Sequence, residues 1–249
     1  MEKDILSLIE EIEKQVKQKA LVLNQDIYDY YRLLFCAFDR SMINSFQYIP
    51  SNNADTNYKL FNYLVTPKYI SITKAGIDLA LTGHPIEAFT LTRLLFEISQ
   101  VTQCLTFHPE YIKRYNEGKL KPENIRKILS KTSKSNSGGK LFGLLSNYSH
   151  STRELLFTTL NITESASNVP IISEKFDVIE KAIFGIVYNT WVQYFMYRGV
   201  FKEDKISDID LCKWDKEIFN VEHMKKLFGN NYVKIFEEVS SFINYLDNK

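Results

Sequence analysis

The sequence predicts an all-α fold, and three observations carry that reading. Apolar residues recur at steps of three and four wherever a pattern is clear. Only 9 Gly and 6 Pro occur in 249 residues, whereas β-sandwiches and doubly wound sheets use more of both at their turns. Hydrophobic residues make up 45% and charged residues 24%, enough to build a sizeable core and too apolar for general disorder. Lys and Arg number 31 against 30 Asp and Glu, a net charge of +1, which excludes coating of nucleic acid or acidic lipid by bulk charge.

Ile5, Ile9, Ile12, Val16, Ala20 and Leu23 alternate steps of three and four with charges between them, the stripe of an amphipathic first helix. Its narrow seam suits one or two partner helices, within the chain or across a dimer. A Tyr- and Phe-rich second helix spans about Ile27 to Tyr48 and ends at Pro50, before the polar run SNNADTN. A third is expected from Lys68, after Pro67, to Leu81, with a stop at Gly83. Proline fits the first turn of a helix, where its missing N–H costs nothing, so His84-Pro85 opens the fourth. From Pro85 to about Phe107 that helix is apolar almost all round, which predicts a central position.

Pro109 and Pro122 each start a short helix. From Pro109 to Lys140 nine basic residues (Lys113, Arg114, Lys119, Lys121, Arg126, Lys127, Lys131, Lys134, Lys140) face three acidic ones, and KTSKSNSGGK within it reads as a loop. Helix is expected again over Leu141–Leu160. A long aromatic helix follows from Ser173 to Arg198, and then two amphipathic tail helices from about Asp215 to Leu246, parted by Gly229-Asn230-Asn231. No repeat or long linker divides the chain. The expectation is one helical domain over 1–249, with N-terminal helices in 1–50, a bundle core at about 60–200 and C-terminal helices in 205–249.

Cys36, Cys104 and Cys212 lie far apart among apolar residues, unlike a disulfide framework or a zinc site, so a reducing, cytoplasmic setting is expected. The N-terminus MEKDILSLIEEIEKQ interrupts its apolar positions with charge and is unlike a secretory signal. Ala182–Tyr197 is short for a membrane span and carries Asn189, Thr190 and Gln193. No HExxH, EF-hand loop, paired CxxC, dinucleotide fingerprint or Glu-x-x-His pair occurs, so no metal or redox cofactor is expected. Ser137-Gly138-Gly139-Lys140 fails the phosphate-loop pattern, with Lys134 at the first Gly position and Leu141 at the Ser/Thr position.

Two polar groups stand out. Arg93 and Glu97 are four apart on the central helix and share one face. If that helix is enclosed all round, they form a buried pair, either a structural ion pair that sets register or part of a site. In Leu145–Arg153, LSNYSHSTR, hydroxyl side chains surround His150 beside Arg153. A histidine to take a proton and a cation to hold phosphate charge are what RNA cleavage by the 2′-hydroxyl requires. The same letters also fit a helix cap at Ser151 or Thr152 with Glu154 behind it. The basic run is either a phosphate-backbone guide or a solvated face.

The helix bearing RLLFE (Arg93–Glu97), the basic helical connection and then SNYSH (Ser146–His150) resemble bacterial all-helical families related to the HEPN superfamily, over about residues 60–200. That superfamily includes toxin and abortive-infection ribonucleases of phage defence. The resemblance implies that Arg93, Glu97, Ser146 and His150 form the polar centre of the bundle, and that homodimers share a ribonuclease cleft. The usual HEPN signature has an arginine four to six residues before a histidine. None of His84, His108, His150 or His223 has one. A site here is either assembled from two helices or belongs to a non-catalytic relative.

The expected function is therefore RNA binding or metal-independent RNA cleavage. In that reading His150 moves the proton, Arg93 or Arg153 stabilises phosphate charge and Glu97 orients Arg93. Lys113, Arg114, Arg126, Lys127, Lys131 and Lys134 would guide the backbone. The alternatives are a non-enzymatic helical interaction protein acting through its first or tail helices, and a sensor of a nucleotide or other small ligand.

Overall fold

The computed structural model describes residues 4–49, 58–133, 172–173, 175–201 and 208–228. Among them the architecture is all-α, with no strand. The helices are α1 (Ile5–Leu23), α2 (Gln25–Ser45), α3 (Tyr58–Leu81), α4 (Pro85–Phe107), α5 (Ile112–Asn116), α6 (Pro122–Ser133), α7 (Phe176–Val200), α8 (Ile209–Ile218) and α9 (Val221–Phe228). None of them is long and apolar enough to cross a membrane.

The Asp4 carboxylate starts α1 by accepting from the Leu6 N–H at 2.6 Å and the Ser7 N–H at 3.4 Å, as an N-cap should. Buried Asn24 breaks α1 from α2, its side-chain amide donating back to the Ala20 carbonyl at 2.9 Å. A short 3₁₀ turn, Phe46–Tyr48, closes α2.

Helices α3, α4 and α7 pack on one another most extensively and form the centre. Asn62 meets Thr106 and Tyr69 meets Ser99, so α3 and α4 run antiparallel. Thr92 lies against Gly185 and Thr102 against Gln193, so α7 runs parallel to α4. Around this trio, Phe38 of α2 is ringed by Tyr69, Tyr194 and Tyr197 at 6.3, 5.5 and 5.4 Å between ring centroids. A second, smaller apolar cluster joins Cys104 and Leu105 of α4 to Ile112, Leu120 and Ile125, and it anchors α5 and α6.

The third helix corrects the sequence reading. It begins at Tyr58, ten residues before the expected start, and runs through Pro67. Proline in a helix interior costs about 3 kcal/mol through a lost hydrogen bond and a clash. Here Pro67 lies with Leu64 and Lys68 on the exposed side, while Asn62, Thr66 and Tyr69 are buried opposite. The freed Tyr63 carbonyl is thus on the wetter side, and burial of the first two turns outweighs the proline. The tail differs as well. What reads as one helix up to Gly229 is two, α8 and α9, parted at Asn220, whose side-chain oxygen accepts from the His223 N–H at 3.1 Å. The helices expected over Leu141–Leu160 and beyond Gly229 lie outside the described residues.

Candidate functional site

Helix α4 is central but not enclosed all round. Arg93, Leu94 and Glu97 keep 27%, 37% and 38% of their side-chain or residue surface exposed. The expected ion pair forms, with Arg93 Nε 3.2 Å from Glu97 Oε1, but it is half-buried. The reason is periodicity: α4 buries Ala88, Phe89, Thr92, Leu95 and Ser99 against α3 and α7, which turns positions 93, 94 and 97 outward. A carboxylate and a guanidinium at such a site retain water and need no full desolvation.

At 100° per residue, Arg93, Glu97 and Cys104 share one azimuth on α4, within about 40°. Cys104 is where the α5–α6 segment docks. The Arg93–Glu97 pair therefore continues, towards the start of α4, the strip that α6 covers towards its end. The basic segment and the pair lie on the same side of the molecule.

That segment has a fixed inner side and a charged outer side. Ile112, Leu120 and Ile125 are buried, with Tyr115, Ile128 and Leu129 packed partly beneath. Lys113, Arg114, Lys119, Lys121, Lys127 and Lys131 are exposed, and Arg126 is half-buried. Arg114 stacks over the Tyr111 ring at 5.7 Å, and Lys119 pairs with Glu117 at 2.8 Å. Ser146, His150, Arg153 and Lys134 lie outside the described residues, so the meeting of Arg93 with His150 belongs to the proposal below.

Two polar groupings escaped the sequence reading. The first is a seam inside the central trio. Thr73 and Thr190 share a hydrogen bond of 3.2 Å, Ser99 reaches the Tyr69 hydroxyl at 3.3 Å, Gln193 donates to Thr102 at 3.4 Å and Asn62 donates to Thr106 at 3.1 Å. The second ties α7 to α8. Tyr194 donates to one Asp215 oxygen while Arg198 holds the other at 2.7 and 3.0 Å. The Ile218 carbonyl, at the end of α8, accepts from Tyr30 at 2.9 Å and Trp191 at 3.3 Å. A usable signal was present for the second grouping: Arg198 is the only cation in the apolar run from Ala182 to Val200, and an arginine there calls for a carboxylate partner.

Burial sets the chemistry of these groups. It raises the Tyr69 phenol far above its ordinary value, and it does the same to Tyr194 with the Asp215 charge adding to it. Both stay protonated phenols rather than proton shuttles at neutral pH. Burial, reinforced by Glu110, pushes the Cys104 thiol up to about 11, which leaves it no thiolate nucleophile. Among the described residues no group of three or more His, Cys, Asp or Glu is placed to hold a metal ion. No protein-family model matches the chain, and no curated protein or solved structure matches it significantly.

Proposed function

We propose that the chain is a HEPN-like helical protein that binds RNA through its α5–α6 face. The observation that carries this reading is the exposure of Lys113, Arg114, Lys127 and Lys131 on an element whose apolar side is locked against α4. A rigidly held row of cations can follow a phosphate backbone without ordering itself on binding. In the cleaving form of this reading, Arg93, oriented by Glu97, holds the negative charge that develops on phosphate. His150 takes the 2′-hydroxyl proton, and no metal is needed.

The test is fluorescence anisotropy of labelled single-stranded RNA across a salt series, with Lys127→Glu/Lys131→Glu beside wild type. Each lost phosphate contact lowers the slope of log K against log salt by about 0.7, so the double variant should lose roughly 1.4 and bind more weakly. An unchanged slope, or no binding by wild type, overturns the reading. Cleavage is tested by incubating wild type, His150→Ala and Arg93→Ala with total RNA and a chelator. Cleavage by wild type alone supports the enzymatic form, and full activity in His150→Ala removes it.

A further inference from the structure

The polar seam between α3, α4 and α7 leaves two acceptors open. Asn62 and Gln193 are 0% exposed, yet Asn62 Oδ1 and Gln193 Oε1 receive no hydrogen bond from the protein. Neither amide can be turned end for end to cure this. Asn62 Nδ2 donates to the Tyr58 carbonyl at 2.8 Å as well as to Thr106 Oγ1 at 3.1 Å, and a carbonyl only accepts. Gln193 Nε2 donates at 3.4 Å to Thr102 Oγ1, whose own proton goes to the Ile98 carbonyl at 2.9 Å. That hydroxyl has no proton left to give. Ser41 Oγ and Tyr197 OH are also without a partner, but they are different. Each is a hydroxyl that rotates about a single bond, and Tyr194 and Ser45 lie beside them to turn towards.

Thr102 and Thr106 are one turn apart, about 6 Å along α4. The two amides therefore meet consecutive turns of the central helix, one from α3 and one from α7. The open valences define what fits there. Both take a proton and give none, so an anion finds no donor. Every buried polar side chain among the described residues is neutral, so a cation would be stranded without a countercharge. We propose that Asn62 Oδ1 and Gln193 Oε1 form a buried site for a small neutral hydrogen-bond donor, and that the donor is solvent water. A buried water makes about three hydrogen bonds, and further oxygens stand on the same helix faces. Thr66 is one turn along α3 from Asn62 and donates to its carbonyl at 2.7 Å; Ser99 is three residues before Thr102 on α4. Helices α3, α4 and α7 are thus joined partly through solvent, at the stretch of α4 where Cys104 and Leu105 anchor α5 and α6.

The proposal does not rest on RNA binding and is tested without RNA, by ¹⁷O relaxation dispersion of the solvent around the full chain. That signal counts long-lived internal waters, and exchange of hydroxyl protons does not imitate it. Asn62→Leu and Gln193→Met each remove one open oxygen at nearly constant volume. Each should lower the dispersion amplitude by the contribution of one water. Thr73→Val is the control, since Thr73 is equally buried but already bonded to Thr190, and it should leave the amplitude unchanged. Circular dichroism identifies the folded variants, and either amide variant is decisive without the other. No dispersion from wild type, an amplitude unchanged by the amide variants, or an equal fall in Thr73→Val would each overturn the proposal.

Discussion

Gly83 sits at the turn between α3 and α4 with φ +87°, in the left-handed region that costs a residue with a Cβ about 1–2 kcal/mol. A Cβ there would also stand 2.6 Å from Ile172 Cγ2 and 2.9 Å from the Ser173 carbonyl oxygen. The second neighbour is backbone. It is held in place because the Ser173 N–H donates to the Gly83 carbonyl at 2.7 Å, so relief by movement means breaking that bond. Overpacking of this kind adds about 1–3 kcal/mol, and Gly83→Ala should lose roughly 2–5 kcal/mol in all. Gly118 supplies the control, with φ +67° and nothing within 4 Å of a Cβ. Gly118→Ala therefore carries the left-handed cost alone, about 1–2 kcal/mol. Urea unfolding of the full chain, followed by circular dichroism, reads both variants. Equal losses for the two glycines would refute the steric argument, and a loss under about 0.5 kcal/mol for both would refute the conformational one as well.

Native thiol labelling should divide the cysteines two to one: Cys36 and Cys212 are exposed and react quickly with a thiol reagent, while Cys104 is buried and reacts only on unfolding. Fast labelling of all three would contradict the docking of α5 and α6 over α4. The Arg40 guanidinium beside Asp208, together with the Asn44 amide and the Leu211 N–H, holds the Asp208 carboxyl far below its ordinary value. A folded-state value below the unfolded one means that the contribution is fully present above the unfolded value of about 3.9 and is lost as pH falls further, towards the folded value. The stability difference between wild type and Asp208→Asn should accordingly be flat from about pH 5 upward and shrink in acid. A difference that grows on acidification would reverse the assignment.

Much of the element order was legible because punctuation and periodicity agreed. The fourth helix begins at Pro85 and ends at Phe107 as read, since a proline suits the first turn and His108-Pro109 cannot continue the helix. Pro67 misled for the opposite reason: local chemistry argued for a boundary, and burial of Asn62 and Thr66 overrode it. Within the candidate site, the spacing of Arg93 and Glu97 was sufficient to predict their contact. Their exposure was not, because whether a helix is covered on its last side depends on how far α6 reaches along it. The Tyr194–Arg198–Asp215 cluster joins residues up to 21 positions apart, a contact that no local spacing encodes.

Trp191 donates to the last carbonyl of α8, and the second of the chain's two tryptophans, Trp214, is on α8 itself. The molecule's whole indole signal is thus gathered where one short helix meets the central trio. Excitation at the red edge of the absorption band, where tyrosine is silent, would report on this junction and on little else. If α8 detaches as a unit before the rest melts, as short peripheral helices can, the emission spectrum will shift while helical ellipticity barely changes. Tyr58, Tyr63 and Tyr69 of α3 would follow the later event.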